Sequence, residues 1–124
     1  MAPATNRPGR RIRHAAARSI LVLTTLPERA GAEALARELL AARLAACVQI
    51  GGAVQSLYHW KEQIETATEI PMAIKTRVDL YGRVESAIRA RHPYELPEIV
   101  AVPITDGLPA YVEWIAAETV ARAG

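Results

Sequence analysis

One extended segment, "IETATEIPMAIKT" at residues 64–76, restricts the fold of this chain more than any other feature. Its apolar and charged positions fall on opposite parities, with Ile64, Ile70, Met72 and Ile74 on one and Glu65, Glu69 and Lys75 on the other. Alternation over more than ten residues predicts a half-buried strand, because successive side chains of a strand point to opposite faces. The run "AVQSLYHW" precedes it, and the "KEQ" between them is short enough for a hairpin loop.

The arms of this predicted hairpin exceed the usual strand length of about five or six residues, so its far end should overhang the domain. Trp60 lies near the tip, beside Tyr58 and His59. This aromatic cluster could stack a ligand, but large aromatics on an exposed arm more often pack at an interface. The hairpin therefore predicts a partner surface that includes Tyr58 and Trp60.

The residues before the hairpin indicate a strand and a helix. The apolar run at 20–23 is typical of a strand covered on both faces. Thr25 and Glu28 match a capping box, which predicts that a helix begins at Leu26 and continues to about Arg43. The segment "LAACVQI" then changes from helix to strand, and we expect a turn at the two glycines that follow it.

Proline and cap signals divide the residues after the hairpin. Asp79 is the predicted cap of a helix at about 80–92, which Pro93 ends by disfavouring helical geometry at His92. "EIVAVPI" is a fourth strand in which Pro103 indicates either a lapse in pairing or an edge, and Pro109 opens a last helix. The order predicts an α+β, ferredoxin-like βαββαβ sandwich with a long β-hairpin and an appended C-terminal helix.

Charge and composition narrow the class of protein. Five arginines precede the first acidic residue, at positions 7, 10, 11, 13 and 18; removing them from the 15 Lys and Arg leaves ten against 13 acids. We interpret residues 1–18 as a disordered basic tail, with a transit peptide or an RNA-contacting arm as alternatives, and 19–124 as one domain. The domain is mildly acidic, which argues against nucleic-acid binding.

Other classes are excluded by what the sequence lacks. No apolar run approaches the roughly 18 residues of a membrane span, so we expect a soluble cytoplasmic protein that binds no membrane. Cys47 is the only cysteine, which rules out an internal disulfide, and its apolar neighbours indicate a small buried hydrophobe. The chain has no G-x-S-x-G, phosphate-binding glycine loop or H-E-x-x-H motif, so we do not expect an enzyme.

Six segments together resemble the CutA divalent-cation-tolerance family. In order they are "TTLPE", "LAACVQI", "SLYHW", "IETATEIPMAIKT", "HPYELPEIVAVPI" and "YVEWI", and they cover about residues 20–116. The resemblance implies a homotrimer with an architecture like that of the PII signalling proteins, in which the long hairpin lends strand edges to neighbouring subunits. It also implies a role in tolerance of copper and other divalent ions.

The resemblance directs attention to His92 as a metal ligand. A copper site described in a bacterial relative uses a Cys in the first strand and two successive His before Pro-Tyr, where this chain has Thr24, Arg91 and His92. That site therefore does not carry over whole. His92 with Glu95 and Glu98 is the remaining candidate for weak binding of copper or another divalent cation. The alternative is that His92 caps the end of its own helix.

In a trimer of this kind, Lys75, Tyr94 and Glu98 would line clefts between subunits. Lys75 could attract a ligand there or form an ion pair with Glu95 or Glu98. Two further hypotheses remain open beside metal tolerance: a PII-like sensor of a small anion or metabolite, and an assembly or anchoring subunit. Many relatives have glycine where the hairpin tip has Glu62, so this position either takes another turn or accepts strain of about 1 kcal/mol.

Overall fold

The computed structural model describes residues 18–119, which form a mixed α+β fold. Five strands and three α-helices follow one another in this order: β1 Ser19–Leu26, α1 Arg29–Ala41, β2 Cys47–Ile50, β3 Val54–Trp60, β4 Gln63–Arg77, α2 Tyr81–Arg91, β5 Ile99–Pro103 and α3 Pro109–Glu118. A short 3₁₀ turn, Val78–Leu80, leads into α2. The predicted tail at 1–18 lies outside the described residues except for Arg18 and stays a prediction.

All strand pairings are antiparallel, and the sheet order is β2-β4-β1-β5, with β3 paired to the first half of β4. This is the ferredoxin-like arrangement, because β4 and β1 lie in the centre and the two helical connections cross one face. The predicted fold class is confirmed. β5 lies at an edge, as Pro103 indicated, since a proline can donate no hydrogen bond to a further strand.

The two glycines after β2 do not reverse the chain, and the predicted turn at this point is wrong. Both β2 and β3 pair with the same long strand, β4. Ile50 pairs with Met72, and Val54 pairs with Glu69. Three residues lie between Ile50 and Val54, whereas only two residues of β4 lie between their partners. This is a β-bulge, which bends the strand and lets one continuous hairpin arm extend away from the core.

The hairpin tip is a two-residue turn of Lys61 and Glu62, because Gln63 already pairs with Trp60. Both turn residues have left-handed backbones, with φ of 51° and 67°. Tight hairpin turns of this kind favour Asn-Gly because side chains with a Cβ are strained at positive φ. The sequence left two alternatives for Glu62, a different turn or backbone strain, and the positive φ shows that the turn accepts the strain.

The core lies between one face of the sheet and helices α1 and α2. The inward stripe predicted for α1 is confirmed, since Ala32, Leu35, Ala36 and Leu39 are all buried. Ile74 of β4 and Ile88 of α2 are fully buried in the same cluster. Helix α3 packs on the opposite face of the sheet, because its Tyr111 contacts Lys75, whose parity is opposite to that of Ile74.

Both predicted N-terminal caps are wrong. Thr25 remains in β1, whose pairing with β4 continues to Leu26, and α1 begins only at Arg29, without a side-chain cap from Glu28. Asp79 lies in the 3₁₀ turn and accepts a 3.0 Å hydrogen bond from Arg77 instead. Tertiary pairing overrides the local cap signal in each case. The proline signals are confirmed: α2 ends at Arg91 before Pro93, and Pro109 opens α3.

Candidate functional site

The chain from His92 to Glu98 connects α2 to β5 and borders a cleft of about 590 Å³ at the base of the hairpin. Its lining comes from three parts of the chain, namely the end of β1, the hairpin strands and this connection. The lining residues are Thr25, Ser56, Leu57, Tyr58, His59, Trp60, Glu69, Tyr94, Glu95, Leu96 and Glu98. We refer to this cavity as the hairpin cleft.

His92 joins the connection to the end of β1. Its side chain is buried, at 9% exposure, and Nε2 lies 2.6 Å from the carbonyl oxygen of Thr25. The backbone N–H of Tyr94 donates to Nδ1 over 3.2 Å. Since Nδ1 accepts, the network assigns the proton to Nε2, which donates to the carbonyl. Both ring nitrogens therefore have partners. His92 caps its own helix through its backbone N–H, which donates to Ile88, whereas its side chain bonds to a distant strand.

Tyr94 packs beside His92, with ring centroids 4.7 Å apart and ring planes tilted by 57°, and its phenol hydrogen-bonds to Glu69. Burial, followed by the charge of Glu69 and the hydrogen bond to it, raises the pKa of Tyr94. The phenol therefore stays protonated and donates to the carboxylate. Glu69 itself is only 7% exposed.

Glu69 is the buried residue of the hairpin cleft that the sequence pattern missed. The alternation of apolar and charged residues along β4 placed Glu69 on the polar face of the strand, which suggested exposure to solvent. It is buried at the base of the hairpin and contacts Tyr94, which lies 25 positions further along the chain. No local signal reveals this burial, because it depends on a segment that returns from the far end of α2.

The predicted metal ligands His92, Glu95 and Glu98 do not form a ready ligand set. Glu95 and Glu98 are exposed residues of the hairpin cleft, whereas both nitrogens of His92 are engaged in hydrogen bonds. Within residues 18–119, no group of three or more His, Cys, Asp or Glu is placed to hold a metal ion. Cys47 is half-buried and lies opposite Lys75 in the sheet.

Of the three predicted cleft residues, the structure brings together two. Tyr94 and Glu98 line the hairpin cleft, whereas Lys75 lies on the face covered by α3. The Lys75 ammonium donates a 3.1 Å hydrogen bond to the Tyr111 hydroxyl and lies 5.2 Å from the centre of that ring. Within the subunit, this contact stands where the sequence suggested an ion pair with Glu95 or Glu98, and a pair across a subunit interface stays a prediction.

The predicted interface residues Tyr58 and Trp60 both line the hairpin cleft. Tyr58 is 41% exposed, and Trp60 is partly buried with the Lys61 ammonium 5.8 Å from its ring. The hairpin also exposes Leu57 and Ile64, at 65% and 71%. Among the helices described for residues 18–119, none has the length and apolar content to cross a membrane.

The fold and cleft define a class of protein: a ferredoxin-like domain of one five-stranded sheet whose long hairpin projects beyond the core and carries exposed apolar side chains. The family model of the CutA1 divalent ion tolerance protein matches residues 20–118. The chain belongs to the CutA1 family.

Individual relatives agree with this assignment. The chain is 41% identical over 96 residues to a zebrafish (Danio rerio) CutA homolog, covering 77% of this chain and 64% of that protein. It is 36% identical over 97 residues to the divalent-cation tolerance protein CutA of Escherichia coli, covering 78% and 87%. The crystal structure of CutA1 from a Shewanella species superimposes with a TM-score of 0.79 at 42% identity, covering 82% and 94%. The chain spans less than two thirds of the zebrafish relative and about half of the plant relatives.

Proposed function

We propose that this protein acts in divalent-cation tolerance as a cytoplasmic homotrimer that binds copper or a similar ion weakly and catalyses no reaction. Membership in the CutA1 family supports the role in tolerance. The observation that carries the proposal is the exposed apolar surface of the hairpin and of the edge strand β5. Surfaces of this kind are typical of interfaces rather than of free monomers.

The apolar surface has a distribution that suits a second and third copy of the chain. Leu57 and Ile64 are exposed on the hairpin, and Val100 and Val102 on β5, at the other edge of the sheet. Within residues 18–119, β3 has β4 as its one neighbour, so its outer edge offers backbone hydrogen bonds. A closed ring of subunits would cover both edges and bury the side chains.

For metal binding, the accessible donors are the carboxylates of Glu95 and Glu98 on the hairpin cleft. His92 could add a nitrogen only by releasing the Tyr94 N–H from Nδ1, a bond of 3.2 Å. Exposed carboxylates without a preformed geometry bind divalent ions weakly, because the ligands must be ordered as the ion enters. Copper tolerance in this proposal therefore relies on modest affinity.

Two measurements test the proposal. Sedimentation equilibrium at micromolar concentration should give three times the 13.5 kDa mass of the chain. Replacing Leu57 and Ile64 together by lysine should dissociate the assembly, while Leu40→Lys, at an exposed leucine of α1, should leave it intact. A stable monomer of the unaltered chain contradicts the trimer.

Titration calorimetry with Cu²⁺ and Zn²⁺ tests the ion site separately. The double variant Glu95→Gln with Glu98→Gln should lose the binding heat, because an amide oxygen is a much poorer ligand for these ions than a carboxylate. Glu33→Gln on the exposed surface of α1 is the matched control. Equal heats in the double variant and the control would remove both glutamates from the site.

A further inference from the structure

The hairpin cleft combines negative charge with aromatic rings. Of its eleven lining residues, three are glutamates, four carry rings and none is Lys or Arg. We propose that this cleft binds an organic cation, in which an ammonium group is carried on an apolar or aromatic body. This inference goes beyond the role in divalent-ion tolerance, because it assigns a different class of ligand to the cavity.

The charge of the cleft selects for a cation. Glu69 is a buried carboxylate held by the phenol of Tyr94, and Glu95 and Glu98 stand at the exposed side of the cavity. A carboxylate removed from water interacts more strongly with an opposite charge than a solvated one does. Because no Lys or Arg lines the cavity, these negative charges have no permanently charged counter-ion among the lining residues. The same charge disfavours a small anion as the occupant.

The aromatic walls favour an organic cation over a strongly hydrated one. Tyr58, Trp60 and Tyr94 contribute aromatic residues to the lining, and Tyr58 and Trp60 lie on the same face of β3. An ammonium or alkylated ammonium group within about 6 Å of an aromatic face is attracted by the negative charge of the ring face. The apolar body of the ligand would meet Leu96, which is an exposed residue of the same cleft.

The size of the cavity also favours an organic cation over a single metal ion. Its volume of about 590 Å³ lies within the range of roughly 300–1,000 Å³ that small-molecule sites occupy. A single metal ion would leave most of this space to water, and the described residues 18–119 place no three ligating side chains together. An amine with an apolar body of several carbons fills the volume and reaches both the carboxylates and the rings.

The wall of the cleft is already formed without a ligand. His92 donates to the Thr25 carbonyl, which holds the connection against β1, and accepts the Tyr94 N–H, which orders the connection itself. Tyr94 in turn directs its hydroxyl at Glu69. A wall ordered in advance reduces the entropy that binding would otherwise cost.

The test uses the full chain in its assembled state, freed of metal with a chelator. Two probes of matching shape are titrated by calorimetry: 3-phenylpropylammonium, which is cationic, and 3-phenylpropionate, which is anionic. The cation should bind, and the anion should bind at least roughly tenfold more weakly. Equal binding of the two probes, or no binding of the cation, overturns the proposal.

Variants locate the site. Glu95→Gln with Glu98→Gln should weaken binding of the cationic probe by roughly tenfold, whereas Glu33→Gln should not change it. Trp60→Leu should weaken it as well, with the subunit mass checked by sedimentation so that loss of assembly is not mistaken for loss of a ring. Unchanged affinity in the double glutamine variant refutes the assignment to this cleft. Since the protein is metal-free, failure of the copper titration leaves this result unaffected.

Discussion

Replacing His92 by alanine should destabilise the protein by about 2–4 kcal/mol, which is large for a residue between two elements. The ring is buried and holds two backbone groups, the Thr25 carbonyl and the Tyr94 N–H. Each hydrogen bond contributes about 1 kcal/mol net, and a buried carbonyl left without a partner costs about 1–3 kcal/mol. Loss of the ring packing against Tyr94 adds to this cost.

Urea unfolding followed by circular dichroism measures this loss at a fixed protein concentration, because oligomers are more stable at higher concentration. With a typical m-value of about 2 kcal/mol/M, the midpoint should fall by about 1–2 M without a change in slope. His59→Ala, at an exposed histidine of β3, is the matched control and should shift it little.

A different pattern would refute the reasoning. If His92→Ala and His59→Ala have midpoints within about 0.3 M of each other, the two hydrogen bonds do not support the fold as described. If the stability is unchanged but the heat of copper binding disappears, His92 is a metal ligand rather than a structural link. The same two variants therefore distinguish the two interpretations of this histidine.

Three further predictions concern the hairpin and the cleft. Gly51→Ala should cost about 1 kcal/mol in urea unfolding, because its Cβ would lie 3.0 Å from a carbon of the facing proline ring. Replacing Lys61 by Asn and Glu62 by Gly should raise the free energy of unfolding by about 1 kcal/mol, since both positions have positive φ. Tyr94 should ionise above the ordinary pKa of 10.0 in an ultraviolet titration, compared with Tyr94→Phe. Its contribution to stability is present below pH 10.0 and declines as the pH rises through the raised pKa.

Each of these has its own control. Gly52→Ala meets no atom within 4 Å and should be neutral or slightly stabilising, so equal losses at the two glycines would contradict the contact with the proline. A tip variant no more stable than the parent chain would show that the turn residues carry no strain. A Tyr94 that ionises at its ordinary pKa would mean that the phenol does not donate to Glu69 in solution.

Local chemistry explains which parts of the fold were predictable. Pro93 ends α2 and Pro109 begins α3 because a proline restricts its own backbone and that of the residue before it, whatever surrounds them. The inward stripe of α1 and the buried positions Ile70, Met72 and Ile74 of β4 follow from periodicity, which is a property of neighbouring residues. These signals were sufficient for the ferredoxin-like class and for the long hairpin.

Local signals failed where contacts with distant residues decide the structure. Thr25 and Asp79 match helix caps, but strand pairing holds the first in β1 and Arg77 takes the carboxylate of the second. A cap contributes about 1 kcal/mol, which several ladder hydrogen bonds exceed. The glycines after β2 likewise form a bulge rather than a turn, since β4 is long enough to pair on both sides of them.

The sequence by itself therefore determined the order of the elements, the buried face of α1 and of the second half of β4, and the family to which the chain belongs. The tertiary structure decided the chemistry of the hairpin cleft. His92 meets Thr25 across 67 positions, and Glu69 is buried beneath a tyrosine that arrives from beyond α2. Hydrogen bonds of this kind form only where packing places two remote segments side by side. The periodicity within either segment does not indicate which other segment it will contact.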